Sequence, residues 1–175
     1  MAGPVSANPY PEGFGIPYGR EKGNFRVYLM AFLAAVLFIA FFASLNPVLL
    51  ALAIAAGATA YYFFPLLENR PRLGANQYGI FVDGFGIIAW RAIEDIRLQT
   101  QAIRSIEVVE LQIKLSQPVA SALVTDWRQL PLYRLLMKLP WKMSHENVVR
   151  IKMEPFETSP EEVLNQLTRM RRFFT

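Results

Sequence analysis

The sequence predicts a membrane α-helical hairpin followed by an α+β domain, a partly open antiparallel β-barrel with a C-terminal capping helix. Three observations carry that prediction. Two uncharged apolar runs lie back to back at 27–45 and 48–67, each near the ~20 residues a bilayer requires. Beyond residue 77 the apolar pattern changes to a period of two, the mark of half-buried strands. The chain then ends in a capped amphipathic segment. Hydrophobic residues make up 53% of the 175, against about 45–50% in soluble domains. Nearly all of the excess falls between Val27 and Leu67.

The first 24 residues hold four prolines and five glycines without apolar periodicity. Such a stretch buries too little to offset its ordering entropy, so a disordered Pro/Gly/Tyr-rich tail is expected at 1–24. Tyr10, Phe14 and Tyr18 are spaced by four. They are either incidental or contacts to a partner or to the chain's own domain.

The run 27–45 (VYLMAFLAAVLFIAFFASL) carries eleven Leu, Ile, Phe or Val residues and no charge. At about −0.3 to −0.6 kcal/mol each, these favour insertion by roughly 3–6 kcal/mol. Asn46-Pro47 interrupts the helix, since proline lacks the backbone N–H and restricts its predecessor. The run 48–67 (VLLALAIAAGATAYYFFPLL) places Tyr61 and Tyr62 near its end, where amphipathic rings favour the headgroup level. A signal peptide is the competing reading of the first run, but it would start nearer the terminus and end at a small-residue cleavage site. Arg20, Lys22 and Arg26 precede the first run and Arg70 and Arg72 follow the second, while the turn between them is uncharged. The positive-inside rule then predicts a multi-pass membrane protein with both termini in the cytoplasm. Ala53, Gly57 and Ala60 form a small-residue face, which packs on the other helix of the hairpin or on another membrane protein. Neither run has an ionisable residue of the kind transport pathways use.

A cytoplasmic domain is expected at 68–175. GIFVD and FGIIAW flank Asp83-Gly84, a hairpin signal. Strands are expected at 96–101, 105–116 and 148–153. Ser159-Pro160-Glu161-Glu162 combines a capping-box spacing with proline at the first helical position. Val163, Leu164, Leu167 and Met170 then repeat on one face. DGFG reads as a hairpin corner, because a phosphate-cradling glycine loop should open a helix and here a strand follows.

Gly79-Ile80, Gly86, Ile88, Trp90, Ile93 and Ile96, with VVELQIKLSQP, a helical insertion, a strand and EEVLNQL after them, resemble bacterial pleckstrin-homology-like (PH-like) membrane proteins with an N-terminal transmembrane hairpin. Two positions depart from the pattern: Ala89 where proline is frequent, and Arg91-Ala92 where an acidic residue commonly precedes the isoleucine. The resemblance implies a PH-like domain with interaction and assembly roles, and makes Trp90 a residue of the fold.

Catalytic chemistry finds little to use. Without cysteine there is no disulfide and no thiolate metal site. His145 is the sole histidine, no spacing surrounds it with zinc ligands, and no GxSxG elbow is present. Glu94-Asp95 are adjacent, unlike a paired acid and base. No cofactor is expected. After residue 67, fifteen Lys/Arg face twelve Asp/Glu, a balance that argues against nucleic acid as partner. The stretch 126–142 (DWRQLPLYRLLMKLPWK) differs. Pro131 could open a short helix presenting Leu132, Leu135, Leu136 and Leu139, with Trp127, Tyr133 and Trp141 beside Arg128, Arg134, Lys138 and Lys142. That mixture suits a membrane-surface helix contacting anionic lipid, or a domain core with a solvated basic face. The expectation is a non-enzymatic, membrane-anchored scaffold, accessory subunit or assembly factor. The alternative is an anionic-lipid-binding module.

Overall fold

The structure, a computed structural model, describes residues 12–103, 106–128, 131–144 and 147–175. Tyr10 and His145 lie outside the described residues.

The apolar runs form helices α1 (Arg20–Ser44) and α2 (Pro47–Phe63), the latter continued by a 3-10 turn at Phe64–Leu66. The corner is set locally. Leu45 adopts a left-handed conformation (φ 52°) that ends α1. Asn46 then caps α2, its Oδ1 accepting the Val48 N–H at 3.0 Å, with Pro47 at the first helical position. Segments Asn24–Ser44 and Pro47–Leu66 are long and apolar enough to cross a membrane, with mean hydropathies of 2.5 and 1.7.

The chain enters this hairpin from the domain. Strand β1 (Phe14–Ile16) precedes α1 and pairs antiparallel with β2 (Leu73–Asn76), which follows α2, in the register Phe14↔Ala75, Gly15↔Gly74 and Ile16↔Leu73. Close approach of the two backbones requires glycine at 74, where a Cβ would lie 2.2 Å from the Phe14 carbonyl oxygen. Tyr18 bridges to Phe156, and the Gly19 N–H donates to the Pro155 oxygen at 2.9 Å. Residues 14–19 are thus part of the domain, against the expectation of a disordered tail through residue 24. The hairpin is an insertion between the first two described strands, so the domain begins before the two apolar helices as well as after them.

The sheet continues β1-β2-β3-β4-β7, with β3 (Gly79–Val82), β4 (Gly86–Ala89) and β7 (Leu123–Asp126). Asp83-Gly84 is a corner, as expected: Phe85 N–H donates to the Val82 oxygen at 3.0 Å, and Gly84 has φ 72°, which glycine adopts without steric cost. A 3-10 turn at Trp90–Ala92 then carries the chain into a second sheet, β5-β6-β9-β8. Its strands are β5 (Ile93–Ile103), β6 (Ile106–Leu115), β8 (Trp141–Ser144) and β9 (Val148–Lys152). Short helices α3 (Val119–Ala122) and α4 (Leu132–Leu135) lie in the connections.

The strands form two open sheets and not a closed barrel. The turn at Trp90 diverts the chain before β5 can continue beside β4, whose outer neighbour is β7 instead, and no ladder joins the sheets among the described residues. Helix α5 (Pro160–Phe174) packs on β2, β5 and β6, burying Val163, Leu167 and Met170 among Leu73, Ile80, Ile88, Leu111, Ile113 and Ile151. Ser159 caps it, accepting the Glu162 N–H at 3.3 Å. Trp90 is a fold residue, as read from sequence: its Nε1–H donates to the Asn76 oxygen at 2.9 Å, and its ring stacks on Phe174.

Candidate functional site

Two places bring together the residues singled out in the sequence. One is the junction where the hairpin meets the domain; the other is the open edge of β1.

Arg72 organises the junction. It is 3% exposed and sits between α2 and β2, so its charge must be met by partners. Its guanidinium donates to Glu68 at 2.6 Å, to the Pro65 oxygen at 3.2 Å and to Asp83 at the β3–β4 corner. It also lies over the Tyr18 ring, 5.8 Å from its centre. One side chain therefore ties the end of the hairpin, the strand corner and the segment entering α1. Burial pushes the Tyr18 phenol well above its ordinary value, with the Arg72 charge opposing. Arg72 had been read only as a topogenic cation. The nearest sequence signal for more was its i,i+4 spacing from Glu68.

The stretch 126–142 folds back onto the same junction, but not as the expected amphipathic helix. Helix α4 has four residues, and Trp141 and Lys142 belong to strand β8. Leu139-Pro140 accounts for the break, since the residue before proline avoids helical geometry. Trp141 packs its ring against the buried Phe85, with centroids 4.8 Å apart, and Trp127 meets Phe81 at 6.1 Å. The basic residues are partly engaged inside the molecule. Arg128 forms a paired contact with Asp126 at 2.6 and 2.9 Å, and its side chain and N–H hold the Asp126 carboxyl down at about 2. Arg134 lies 3.8 Å from Asp83. Lys138 sits over the Phe63 ring at 5.5 Å, where burial pushes its ammonium below its ordinary value. Lys142 is exposed.

This segment is joined to the hairpin by direct bonds. The Tyr61 hydroxyl donates to the Tyr133 carbonyl at 2.7 Å, and the Lys138 N–H donates to the Tyr62 carbonyl at 2.9 Å. Tyr133 and Leu136 point outward, 59% and 68% exposed.

The anticipated partner contacts divide. Tyr18 is buried at 2% exposure and so is spent on the domain. Ala53 and Ala60 are buried and Gly57 is half-buried, where a Cβ would stand 4.0 Å from Ala34 of α1. That small-residue face serves the hairpin itself. Phe14 remains half-exposed on the surface of the domain. It lines a shallow groove between β1 and α5 together with Glu12, Gln166, Arg169 and Met170. Among the described residues β1 has β2 as its only ladder neighbour, so its other edge is the rim of the five-stranded sheet.

Among the described residues no group of three His, Cys, Asp or Glu could hold a metal ion. Glu94 is paired with Lys114 at 2.6 Å rather than poised beside Asp95. Comparison with family models, with curated proteins and with solved structures finds no match.

Proposed function

We propose that this chain is a non-enzymatic, membrane-anchored scaffold or accessory subunit, in which an inner-membrane hairpin holds a PH-like cytoplasmic domain against the bilayer for docking of a protein partner. Its orientation, with both termini cytoplasmic, follows from the cations flanking the hairpin. The PH-like assignment rests on the Gly79-to-Ile96 pattern and on the order of hairpin, strands and final helix.

The observation that carries the reading is the edge of β1. Among the described residues it is an unpaired strand edge beside a groove whose walls mix apolar (Phe14, Met170) and polar (Glu12, Gln166, Arg169) side chains. An extended peptide can add to such an edge, with backbone hydrogen bonds giving affinity and the groove giving selectivity. The paired carboxylates Glu68, Asp83, Glu94 and Asp126 serve the fold rather than a reaction. The anionic-lipid alternative loses support, because Arg128, Arg134 and Lys138 already have partners inside the molecule.

The test is native mass spectrometry of the tagged chain extracted from its own membranes in mild detergent, beside the variant Arg169→Glu. A stoichiometric second polypeptide that is lost from the variant, with membrane insertion unchanged, supports docking at this edge. A lone chain or homo-oligomer contradicts the scaffold reading, and a partner retained by the variant moves the contact elsewhere.

A further inference from the structure

We infer that residues 133–138 form a third contact with the bilayer, inserting Tyr133 and Leu136 into the boundary between headgroups and acyl chains beside the end of α2. The inference rests on the reading of α1 and α2 as membrane helices and adds a surface to it.

The placement follows from two hydrogen bonds to the end of α2. A helix that crosses the hydrocarbon core and ends in Tyr61-Tyr62-Phe63-Phe64 brings those rings to the headgroup level. The 133–138 segment is fastened to that same turn by the Tyr61 hydroxyl and the Tyr62 carbonyl. It therefore lies at the depth of the aromatic belt rather than out in the aqueous phase. There it exposes Tyr133 (59%) and Leu136 (68%) next to Tyr61, Tyr62 and Phe64, which are 38%, 44% and 42% exposed. Five large, outward-facing apolar or amphipathic side chains gathered around one helix end make a patch that water covers poorly and an interface covers well.

The cations fit the same depth. The Lys138 ammonium lies over the Phe63 ring and is partly desolvated, with the Glu154 and Arg26 charges acting on it in opposite directions. Arg26 is exposed in the first turns of α1. Long basic side chains at such a level bury their stems and turn their charge to the phosphates. Because Arg128 and Arg134 are engaged with Asp126 and Asp83, the contact is mainly apolar. Its strength should therefore depend weakly on the charge of the lipid. With two helix crossings and this surface contact, the domain is held at three points and keeps one face toward the bilayer.

The natural absence of cysteine permits single-site spin labelling without removing any residue. The full chain is reconstituted in vesicles of zwitterionic lipid and labelled singly at Leu136→Cys, at Phe32→Cys in the middle of α1, and at Glu161→Cys on the exposed face of α5. Collision rates with oxygen and with a water-soluble nickel chelate are then compared. The expected result is that labels at 32 and 136 collide more with oxygen than with nickel, the label at 32 being deeper, while 161 shows the reverse. If 32 is lipid-exposed but 136 resembles 161, the surface contact is wrong and the membrane hairpin stands. If 136 is shielded from both reagents, protein covers the patch and the inference is overturned in favour of a second copy of the chain. If 32 also resembles 161, the membrane reading fails and this inference falls with it.

Discussion

Helices α1 and α5 solve the same problem in opposite ways. α5 presents Val163, Leu167 and Met170 to the sheets and turns Glu161, Glu162 and Arg169 outward. Over α1, Phe25, Phe32, Val36, Ile39 and Phe42 are all exposed, and only 6% of its apolar window is buried within the molecule. A helix apolar all round and packed against one neighbour keeps most of its apolar surface uncovered within this chain, the pattern a membrane-spanning helix shows. Core helices of soluble proteins meet the same length and hydropathy criteria but are mostly buried, and α1 and α2 are not. Burial, more than hydropathy, separates the two kinds of helix, and the separation can be attacked directly.

The largest contrast is between matched truncations. Leu167→Ala, in the closed core, should cost about 2–5 kcal/mol of domain stability. Ile39→Ala, on the outer face of α1, should stay within about 0.5 kcal/mol. Denaturant unfolding of the full chain in detergent, followed by tryptophan fluorescence, measures both; equal losses would mean that α1 is packed in a protein core. Next comes the joint between the two regions. Arg72→Ala strips Glu68 and Asp83 of their shared cation and should cost about 3 kcal/mol, the low end for breaking a buried pair, because both carboxylates keep some hydration. The same unfolding experiment reads it, and a loss below about 1 kcal/mol would leave the hairpin held by something else.

Smaller effects sharpen the picture at helix ends and surface pairs. Ser159→Ala removes the α5 cap and should cost about 1 kcal/mol, seen as a lower midpoint with an unchanged denaturant slope. Asp126→Asn should cost less than about 1 kcal/mol, because its pair with Arg128 is solvent-exposed. The pair's contribution has a defined pH sign. The carboxyl is held at about 2 in the fold against an ordinary 3.8. It is therefore fully present above the ordinary value and lost as pH falls from about 4 to about 2. A titration that moves in the opposite direction would remove Arg128 as the cause.

What was legible in the sequence was local. The hairpin turn at Asn46-Pro47, the corner at Asp83-Gly84 and the capped start of α5 are each decided within a few residues. What was not legible depends on partners far along the chain. Phe14-Gly15-Ile16 is too short and too glycine-rich to show alternation, and its partner strand starts 57 residues beyond the end of β1, across the whole hairpin. Arg171, near the end of α5, reaches across to the Ile93 and Glu94 carbonyls at 2.9 and 2.8 Å, partners 78 and 77 positions away in sequence. The composition of 126–142 reads as apolar, aromatic and basic, but its helix spans only Leu132–Leu135, and the pairing of β8 with β9 takes Trp141 and Lys142 into a sheet. The candidate site shared that fate. Phe14 and Tyr18 stand out by type and spacing, but whether each faces a partner or the core is set by β1 joining the sheet.

The central claim is that the hairpin is inserted within the sheet, so that the domain is mounted on the membrane through β1 and β2 without a flexible link. Hydrogen exchange by mass spectrometry on the full chain in lipid nanodiscs tests it directly. The account predicts that amides of 14–19 exchange as slowly as those of β2 and β3, and that the two helices stay protected through the hairpin. Rapid exchange at 14–19 beside a protected β2 would contradict it, leaving the domain tethered only at β2.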